Sequence, residues 1–171
     1  AALRSDKRIG KQSYISPSLG VSGGHLERDV FTVIRTSNNF RVKNLFKNLK
    51  IVNDTRISLL IKNYEELNKK FKFKRVIWFG PSYKSNSFSI INSPFVKFEK
   101  YLKKKRKILY SFDSFFDLKK EGLNNFLNKL DKKIIKNSLI IFNYASESHK
   151  KEINKFINKG ICKIVNLNFL N

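Results

Sequence analysis

The sequence predicts an α/β protein with a three-layer, mostly parallel sheet and helices on both faces, preceded by an extended basic N-terminal arm. Two observations predict this class. Apolar runs of strand length alternate with stretches that repeat apolar residues at helical spacing, most clearly from residue 76 to residue 171. One run is continuously apolar from Leu139 to Phe142. Such a run is typical of a strand that is buried on both faces of a parallel sheet.

The N-terminal arm comprises residues 1–29, which are polar, rich in Gly and Ser, and without a clear period. Pro17 and several glycines favour an extended chain over a helix or strand. A disordered tail is one interpretation. The functional interpretation is a segment that becomes ordered against RNA, with Lys7, Arg8 and Lys11 on phosphates.

Residues 30–79 form a first structured block. The alternation in DVFTVIRTS predicts a strand. Two stretches with apolar residues at helical spacing follow, the second over 59–71, and RVIWF closes the block as a short strand. The arm is thus followed by an α/β domain over 30–171. A sub-boundary lies near 79–81, where Gly and Pro end the strand.

The second half of the chain alternates helices and strands. Asn92 or Ser93 can cap a helix that has Pro94 at its first position, and KILYSF follows as a strand. Next come a helix over about 118–131, the continuously apolar strand, a helix capped by Ser146, and a last strand in ICKIVNLN. This order and spacing predict right-handed parallel crossovers.

The charge balance points to a polyanionic partner. The chain carries 36 Lys and Arg against 13 Asp and Glu, a formal net charge of +23. A folded domain with this imbalance repels itself unless a polyanion neutralises it. RNA or DNA is the first candidate partner and an anionic membrane is the second.

Signatures of catalysis are scarce. The chain contains no phosphate-binding loop, no Gly-x-Gly-x-x-Gly turn and no Gly-x-Ser-x-Gly elbow. His25 and His149 lack an evident nucleophile, and Cys162 falls on a strand that we expect to be buried. Asp113 and Asp117 stand near lysines, where charge balance is the simpler role. We therefore expect no enzyme activity, no catalytic or metal-binding residue, no cofactor and no small-molecule substrate.

Basic residues are grouped along the sequence, and we interpret the groups as RNA contacts. KKFKFKR predicts an extended segment with Lys70, Lys72 and Lys74 on one face and Phe71 and Phe73 on the other. A second run spans 103–107, and a weaker group is formed by the lysines at 132, 133 and 136. The predicted RNA-binding residues are Lys7, Arg8, Lys11, Lys70, Lys72, Lys74, Arg75, Tyr83, Lys84, Lys103, Lys104, Lys105 and Arg106.

The α/β half resembles the large-subunit ribosomal protein L four family. The resemblance rests on VIWFGPSYKSNSFSI, KILYSFDSFFDLKKEGLNNFLNKL, NSLIIFNYASE and CKIVNLNFLN in this order over residues 76–171. That family shows Phe-Gly-Pro after an apolar strand, matched here by Phe79, Gly80 and Pro81. Its Gly/Arg-rich tunnel loop has no counterpart, because residues 25–79 contain no Gly.

Residues 30–79 resemble a second family, ribosomal protein L thirty, through FTVIRTSNNFRVKNLFKNLKIVNDTRI and LIKNYEELNKKFKFKRVIWF. Both resemblances imply a structural constituent of the large ribosomal subunit. The bias toward Lys, Asn, Ile and Phe suggests an AT-rich coding sequence and, together with the high basicity, fits an organelle or an AT-rich parasite or protist. The organelle would be the mitochondrion, or alternatively the plastid. The implied partners are ribosomal RNA and neighbouring large-subunit ribosomal proteins, without membrane insertion. The alternatives are a basic nucleic-acid-processing enzyme, such as a nuclease or RNA-modifying enzyme, and a scaffold subunit of a membrane-bound complex.

Overall fold

The computed structural model describes residues 2–10, 19–83, 87, 89–113, 123, 125–143, 153–154 and 163–166. Its elements are, in chain order, α1 (Ala2–Ser5), α2 (Gly24–Thr36), α3 (Phe40–Phe71), β1 (Arg75–Phe79), α4 (Pro94–Lys104), β2 (Leu109–Phe112), α5 (Lys132–Ile135), β3 (Ser138–Phe142) and β4 (Lys163–Asn166). Among these helices, none combines the length and the apolar character that a membrane span requires.

The four strands form one parallel sheet in the order β2-β1-β3-β4. Val76 of β1 pairs with Leu109 of β2 on one side and with Leu139 of β3 on the other. Leu139 in turn pairs with Lys163 of β4. The first strand in the sequence is therefore an interior strand, and the predicted α/β class with a parallel sheet is confirmed.

One face of the sheet is covered by α3 and α4 through aromatic packing. The ring of Trp78 lies 5.8 Å from that of Phe95 and 5.7 Å from that of Phe98. Tyr64 of α3 packs edge-on against Phe98, with 5.5 Å between ring centroids. Burial, and secondly the charge of Glu65, raises the pKa of the Tyr64 hydroxyl. This layer is an aromatic core that joins both helices to β1.

The opposite face has its own core. Phe79 lies between Phe112 and Phe142, at 4.9 and 4.8 Å between ring centroids. Ile135 of α5 and the helical residue Ile153 are buried in the same cluster. Both faces are therefore covered, as predicted for a three-layer fold. Most of the helix predicted after Ser146, like Cys162 and His149, lies outside the described residues.

The start of α4 is fixed by Ser93, one of the two predicted caps. Its hydroxyl accepts a hydrogen bond from the Phe95 amide at 3.2 Å and donates one to the Pro81 carbonyl at 2.5 Å. Pro94 occupies the first turn, where a missing N–H costs nothing. One buried hydroxyl thus caps the helix and ties it to the turn that follows β1.

The strand predicted in DVFTVIRTS is wrong, because this segment belongs to α2. Val30, Val33 and Ile34 are half-buried on the side that packs against α3. The spacing of these residues is compatible with a helix, and the alternation along the segment is compatible with a strand. Packing against α3 stabilises the helix. The last residues of the predicted arm, Gly24 to Asp29, are also helical.

The two helical stretches predicted after residue 40 are one continuous helix, α3. Asn39 caps it by accepting from the amides of Arg41 and Val42. Leu60 and Tyr64 are its buried residues, so its second half covers the sheet while its first half pairs with α2. That first half exposes apolar side chains, namely Phe40, Val42, Leu45, Leu49, Ile51 and Val52.

The extended segment predicted for KKFKFKR is also wrong, although the rings of Phe71 and Phe73 do lie together, with 5.7 Å between their centroids. Residues 69–71 are helical, and Lys72 ends α3 in the left-handed conformation with φ of 49°, its amide donating to the Asn68 carbonyl. Phe73 is buried, whereas Phe71 is 38% exposed. The helix persists to this point because no Gly or Pro interrupts it earlier.

The described part of the helix predicted over 118–131 is not helical. Residues 125–127 instead run beside β2: the Ser111 amide donates to the Asn125 carbonyl, and the Leu127 amide donates to the Ser111 carbonyl, both at 2.9 Å. The backbone of this segment thus forms hydrogen bonds with the outer side of the edge strand β2, in place of the hydrogen bonds it would form within a helix.

We expect Ser93→Ala to lower the free energy of unfolding by about 2 kcal/mol, since it removes a helix cap and leaves the buried Pro81 carbonyl without this donor. Urea titration followed by circular dichroism measures the change. Ser58→Ala is the matched control, because the Ser58 hydroxyl is exposed on α3 and bonds only a carbonyl of its own helix. Equal losses in the two variants would contradict the role assigned to Ser93.

Candidate functional site

The candidate site lies at the carboxyl edge of the sheet, between β1 and β3. From β1 the chain crosses to β2 on one side and then returns to β3 on the other. The turns that leave β1 at Gly80 and β3 at Asn143 therefore diverge. In open α/β sheets, ligands bind in the crevice that such a reversal of strand order creates.

The turn after β1 is tightly bonded. Gly80 adopts φ of 71°, and its amide donates to the Phe112 carbonyl at 3.1 Å. Its carbonyl accepts from the indole N–H of Trp78 at 3.1 Å. The positive φ favours glycine here, because a Cβ would strain the backbone. The Gly-Pro pair thus ends the strand and turns the chain along the edge of the sheet.

Asn143 joins the two diverging turns. Its side-chain amide donates to the carbonyls of Gly80 at 3.2 Å and Ser82 at 2.9 Å, and its backbone amide donates to the Phe79 carbonyl at 3.1 Å. The residue is buried. A neutral side-chain amide is well suited to this place, because it offers two donors to two carbonyls without a buried charge.

The segment before α2 lies on this turn. The Val21 amide donates to the Asn53 side-chain oxygen at 2.6 Å, and the Asn53 side chain donates back to the Val21 carbonyl at 3.1 Å. Gly23 has φ of 93°, and a Cβ there would lie 3.2 Å from the Tyr83 ring. Glycine is therefore required for the close approach of the segment to Tyr83.

The N-terminus of α2 consequently points out at the carboxyl edge. Its N-cap is Gly23, and among the described residues no side chain caps the helix. His25 and Arg28 are exposed in its first turns, and Arg28 donates to the Asp29 carboxylate at 2.9 Å. The first amides, the helix dipole and a guanidinium favour an anion at this position. Glu27 also lies in the first turn, and its carboxylate is 3.6 Å from the Lys97 ammonium.

The N-terminus of α4, by contrast, is closed to an anion. The Ser93 hydroxyl occupies the Phe95 amide, and Pro94 contributes no N–H. In a dinucleotide-binding fold, the phosphates would lie on the helix that follows the first strand. Here that helix end faces the Pro81 carbonyl through Ser93, so α2 offers the more open helix terminus at this edge.

The structure separates the residues that the sequence groups as one RNA surface. Tyr83 lies at the carboxyl edge, beneath Gly23. The amino edge holds Lys70, Lys72, Lys74, Arg75, Lys103, Lys104, Lys105 and Arg106, where α3 and α4 end and β1 begins. Their contact with RNA stays a prediction.

The structure describes two of the three predicted residues of the N-terminal arm, Lys7 and Arg8. Lys7 is exposed. Arg8 donates two hydrogen bonds to the Asp6 carboxylate, at 3.1 and 2.7 Å. These bonds, with one from the Arg8 backbone, lower the pKa of the Asp6 carboxyl. Lys11 and Lys84 lie outside the described residues.

Sequence reasoning missed Asn143 and the Ser22–Gly23 segment. Asn143 directly follows a continuously apolar strand, and a polar residue at the carboxyl end of a buried strand was the available signal. Ser22 and Gly23 belong to the predicted extended arm, whose Gly and Ser content carries no sign of a specific contact. The close contact between Gly23 and the ring of Tyr83 becomes visible only in the structure, because the two residues are far apart in the sequence.

Solved structures that share this fold include nucleotide-sugar dehydrogenases. GDP-mannose dehydrogenase from Pseudomonas aeruginosa matches with a TM-score of 0.70 and 18% identity, over 90% of this chain and 37% of its own. UDP-glucose dehydrogenase from Pyrobaculum islandicum matches with a TM-score of 0.66 and 18% identity, over 99% and 39%. UDP-D-ManNAc dehydrogenase from Pyrococcus horikoshii gives 0.61 and 15%, over 99% and 39%.

The chain therefore spans about two fifths of the length of these enzymes. No protein-family model matches the sequence, and no curated protein matches it. At this level of identity, the comparison shows a common fold, of the Rossmann-like α/β type. The activity of this chain is a separate question.

The comparisons correct the functional interpretation drawn from the sequence. The resemblances to the ribosomal protein L four and L thirty families are wrong, because the structures with this fold are dehydrogenases. The expected role as a structural ribosomal constituent and the expected ribosomal RNA and protein partners are wrong for the same reason. So are the expectations of no enzyme activity and of no small-molecule substrate. Short apolar strands and Lys-rich helices occur in both kinds of protein, and Phe-Gly-Pro is too short to separate them.

We expect Asn143→Asp to destabilise the fold at neutral pH more than Asn143→Ala does. The variant carboxylate would be buried against the Gly80 and Ser82 carbonyls, so its folded-state pKa would rise above its unfolded value. The folded state then binds more protons, and the deficit shrinks as the pH falls from 7 toward 4. Urea titrations of both variants across this range test the expectation. A deficit that grows on acidification, relative to Asn143→Ala, would contradict it.

Proposed function

We propose that this chain holds the nucleoside diphosphate portion of a nucleotide sugar, as one part of an enzyme of the nucleotide-sugar dehydrogenase type. The shared fold with GDP-mannose, UDP-glucose and UDP-D-ManNAc dehydrogenases supports the class of ligand. These names have a sugar linked to a nucleoside diphosphate in common. Such a ligand presents two phosphates, and the anion-favouring features at the carboxyl edge suit them.

The arrangement of the α2 N-terminus at the switch point carries the proposal. The Val21–Gly24 segment brings the first amides of α2 to the turn that follows β1, and Arg28 is exposed one turn further along the same helix. A diphosphate bound there would receive backbone N–H donors and a guanidinium, whose fork geometry matches phosphate oxygens. Tyr83 stands beside the same segment and offers an aromatic ring and a hydroxyl to the nucleoside.

A nicotinamide dinucleotide fits this part of the chain poorly. Its phosphates would need the amides at the start of α4, where Ser93 is the cap and Pro94 supplies no N–H. The sequence also lacks a Gly-x-Gly-x-x-Gly turn. We therefore assign no hydride-transfer step to these residues. Their proposed work is to bind and orient the nucleotide sugar.

Titration calorimetry of the full chain with UDP-glucose, GDP-mannose, UDP and GDP tests the proposal. We expect at least one nucleotide sugar to bind with a submillimolar dissociation constant, roughly the range of enzyme substrates. NAD should bind more weakly than the preferred nucleotide sugar. Binding of NAD in preference to all four ligands, or no binding of any of the four, would contradict the proposal.

Arg28→Gln should weaken binding of the preferred nucleotide sugar at least about tenfold, since it removes a charge-assisted hydrogen bond to phosphate. Arg35→Gln is the matched control: it makes the same change in the last turn of the same helix, and we expect it to change affinity less than about twofold. Equal weakening by both variants would show a general effect of net charge and would contradict the assigned position of the phosphates.

A further inference from the structure

Three basic groups that are distant in the sequence meet at the amino edge of the sheet. Parallel strands begin at a common edge, so the chain segments that lead into β1, β2 and β3 lie side by side there. We call this surface the basic edge. Its residues are Lys69, Lys70, Lys72, Lys74, Arg75, Lys103, Lys104, Lys105, Arg106, Lys107, Lys132, Lys133 and Lys136.

Direct contacts join the three groups. The Lys74 amide donates to the Asn137 carbonyl at 2.9 Å, and the Arg75 guanidinium donates to the Lys133 carbonyl at 3.4 Å. On the other side, the ammonium of Lys105 lies 3.8 Å from the Glu65 carboxylate of α3. The basic edge is therefore one continuous surface, joined by backbone and side-chain contacts.

The acidic residues near the basic edge leave most of its charge uncompensated. Glu65 accepts from the Tyr101 hydroxyl and faces Lys105, and Glu99 pairs with Lys103 at 3.2 Å. Asp131 accepts from the Ile134 amide as the cap of α5. Among the described residues of these segments, Glu66 is a further acidic side chain, and it is exposed.

Exposed apolar side chains stand among these lysines. Ile108 is 52% exposed at the entrance to β2, and Phe71 is 38% exposed at the end of α3. The ammonium of Lys70 lies 5.4 Å from the centre of the Phe71 ring. Apolar side chains flanked by lysines suit the headgroup region of a lipid bilayer, where each apolar group enters the acyl boundary while the ammonium groups meet phosphate.

We propose that the basic edge is a docking surface for an anionic lipid membrane. Its charge comes mainly from lysine, a flexible point charge, whereas sites that recognise nucleic acid favour the planar fork of arginine and aromatic stacking platforms. The lysines also come from the three segments that lead into β1, β2 and β3, so their ammonium groups are spread over the whole edge of the sheet. Attraction to anionic lipids adds up over such a layer without requiring a fixed geometry.

The docking surface and the candidate nucleotide-sugar site lie at opposite edges of the sheet. A strand of five residues separates the edges by roughly 15 Å. The carboxyl edge therefore stays open to solvent while the amino edge contacts lipid. The docking proposal does not depend on the proposed function, and each can fail without the other.

Co-sedimentation of the full chain with vesicles tests the proposal. The probes are vesicles of phosphatidylcholine alone and of phosphatidylcholine with 30% phosphatidylglycerol. We expect binding to the anionic vesicles only. The combined Lys104→Gln, Lys107→Gln, Lys132→Gln and Lys133→Gln variant should bind at least about 100-fold more weakly, since each lysine near an anionic surface contributes about fivefold in affinity.

The matched control is the combined Arg35→Gln, Arg41→Gln, Lys47→Gln and Lys62→Gln variant, which removes the same charge from exposed positions on α2 and α3. We expect it to lose less than about fivefold. Equal losses in the two variants, or equal binding to neutral vesicles, would overturn the proposal. So would binding of a double-stranded or single-stranded oligonucleotide that depends on the basic edge and displaces the chain from anionic vesicles.

Lysine acetylation of the wild-type chain gives a second measurement that needs no variant. We expect anionic vesicles to protect Lys104, Lys107 and Lys132 from the reagent several-fold more than Lys47 and Lys62, because only the former would face the lipid. Uniform protection, or protection confined to Lys47 and Lys62, would overturn the assignment of the membrane-facing surface.

Discussion

Burial of β1 on both faces is the constraint on which the rest of the structure depends. Trp78 packs against α4 on one face, and Phe79 packs between two phenylalanines on the other. A strand buried in this way needs paired neighbours on both sides, so the chain must travel first to one side and then to the other. The reversal that forms the candidate site is a direct consequence of this requirement.

Much of the sheet was predictable from the sequence, since burial on two faces leaves a continuous apolar run such as Leu139 to Phe142. The cap at Ser93 was predictable because its signals are local. The helical conformation of α2 was not predictable from the sequence. The spacing of Val30, Val33 and Ile34 is compatible with a strand or a helix, and packing against α3 selects the helix. The site was the least predictable part: Asn143 and Gly23 acquire their roles only through residues far away in the sequence.

The net charge of +23 is a poor guide to function because it describes the whole chain. Binding depends instead on how the charged residues are distributed over the surface. Folding distributes the basic residues unevenly. Most of the named groups collect where strands begin, at the amino edge, and the candidate ligand crevice lies where strands end. A sum over the composition cannot distinguish a protein that is basic everywhere from one that confines its charge to one edge. The direction of the parallel strands supplies the missing information.

The position of Trp78 has a consequence for spectroscopy. It is the single tryptophan of the chain, it is fully buried, and its indole N–H is bonded to the Gly80 carbonyl in the turn beside the crevice. Indole emission depends on the polarity and hydrogen bonding around the ring. Any event that shifts this turn will therefore change the intrinsic fluorescence of the protein, and the signal will come from one place in the molecule. Trp78 is therefore an intrinsic fluorescence probe located between the core and the candidate site.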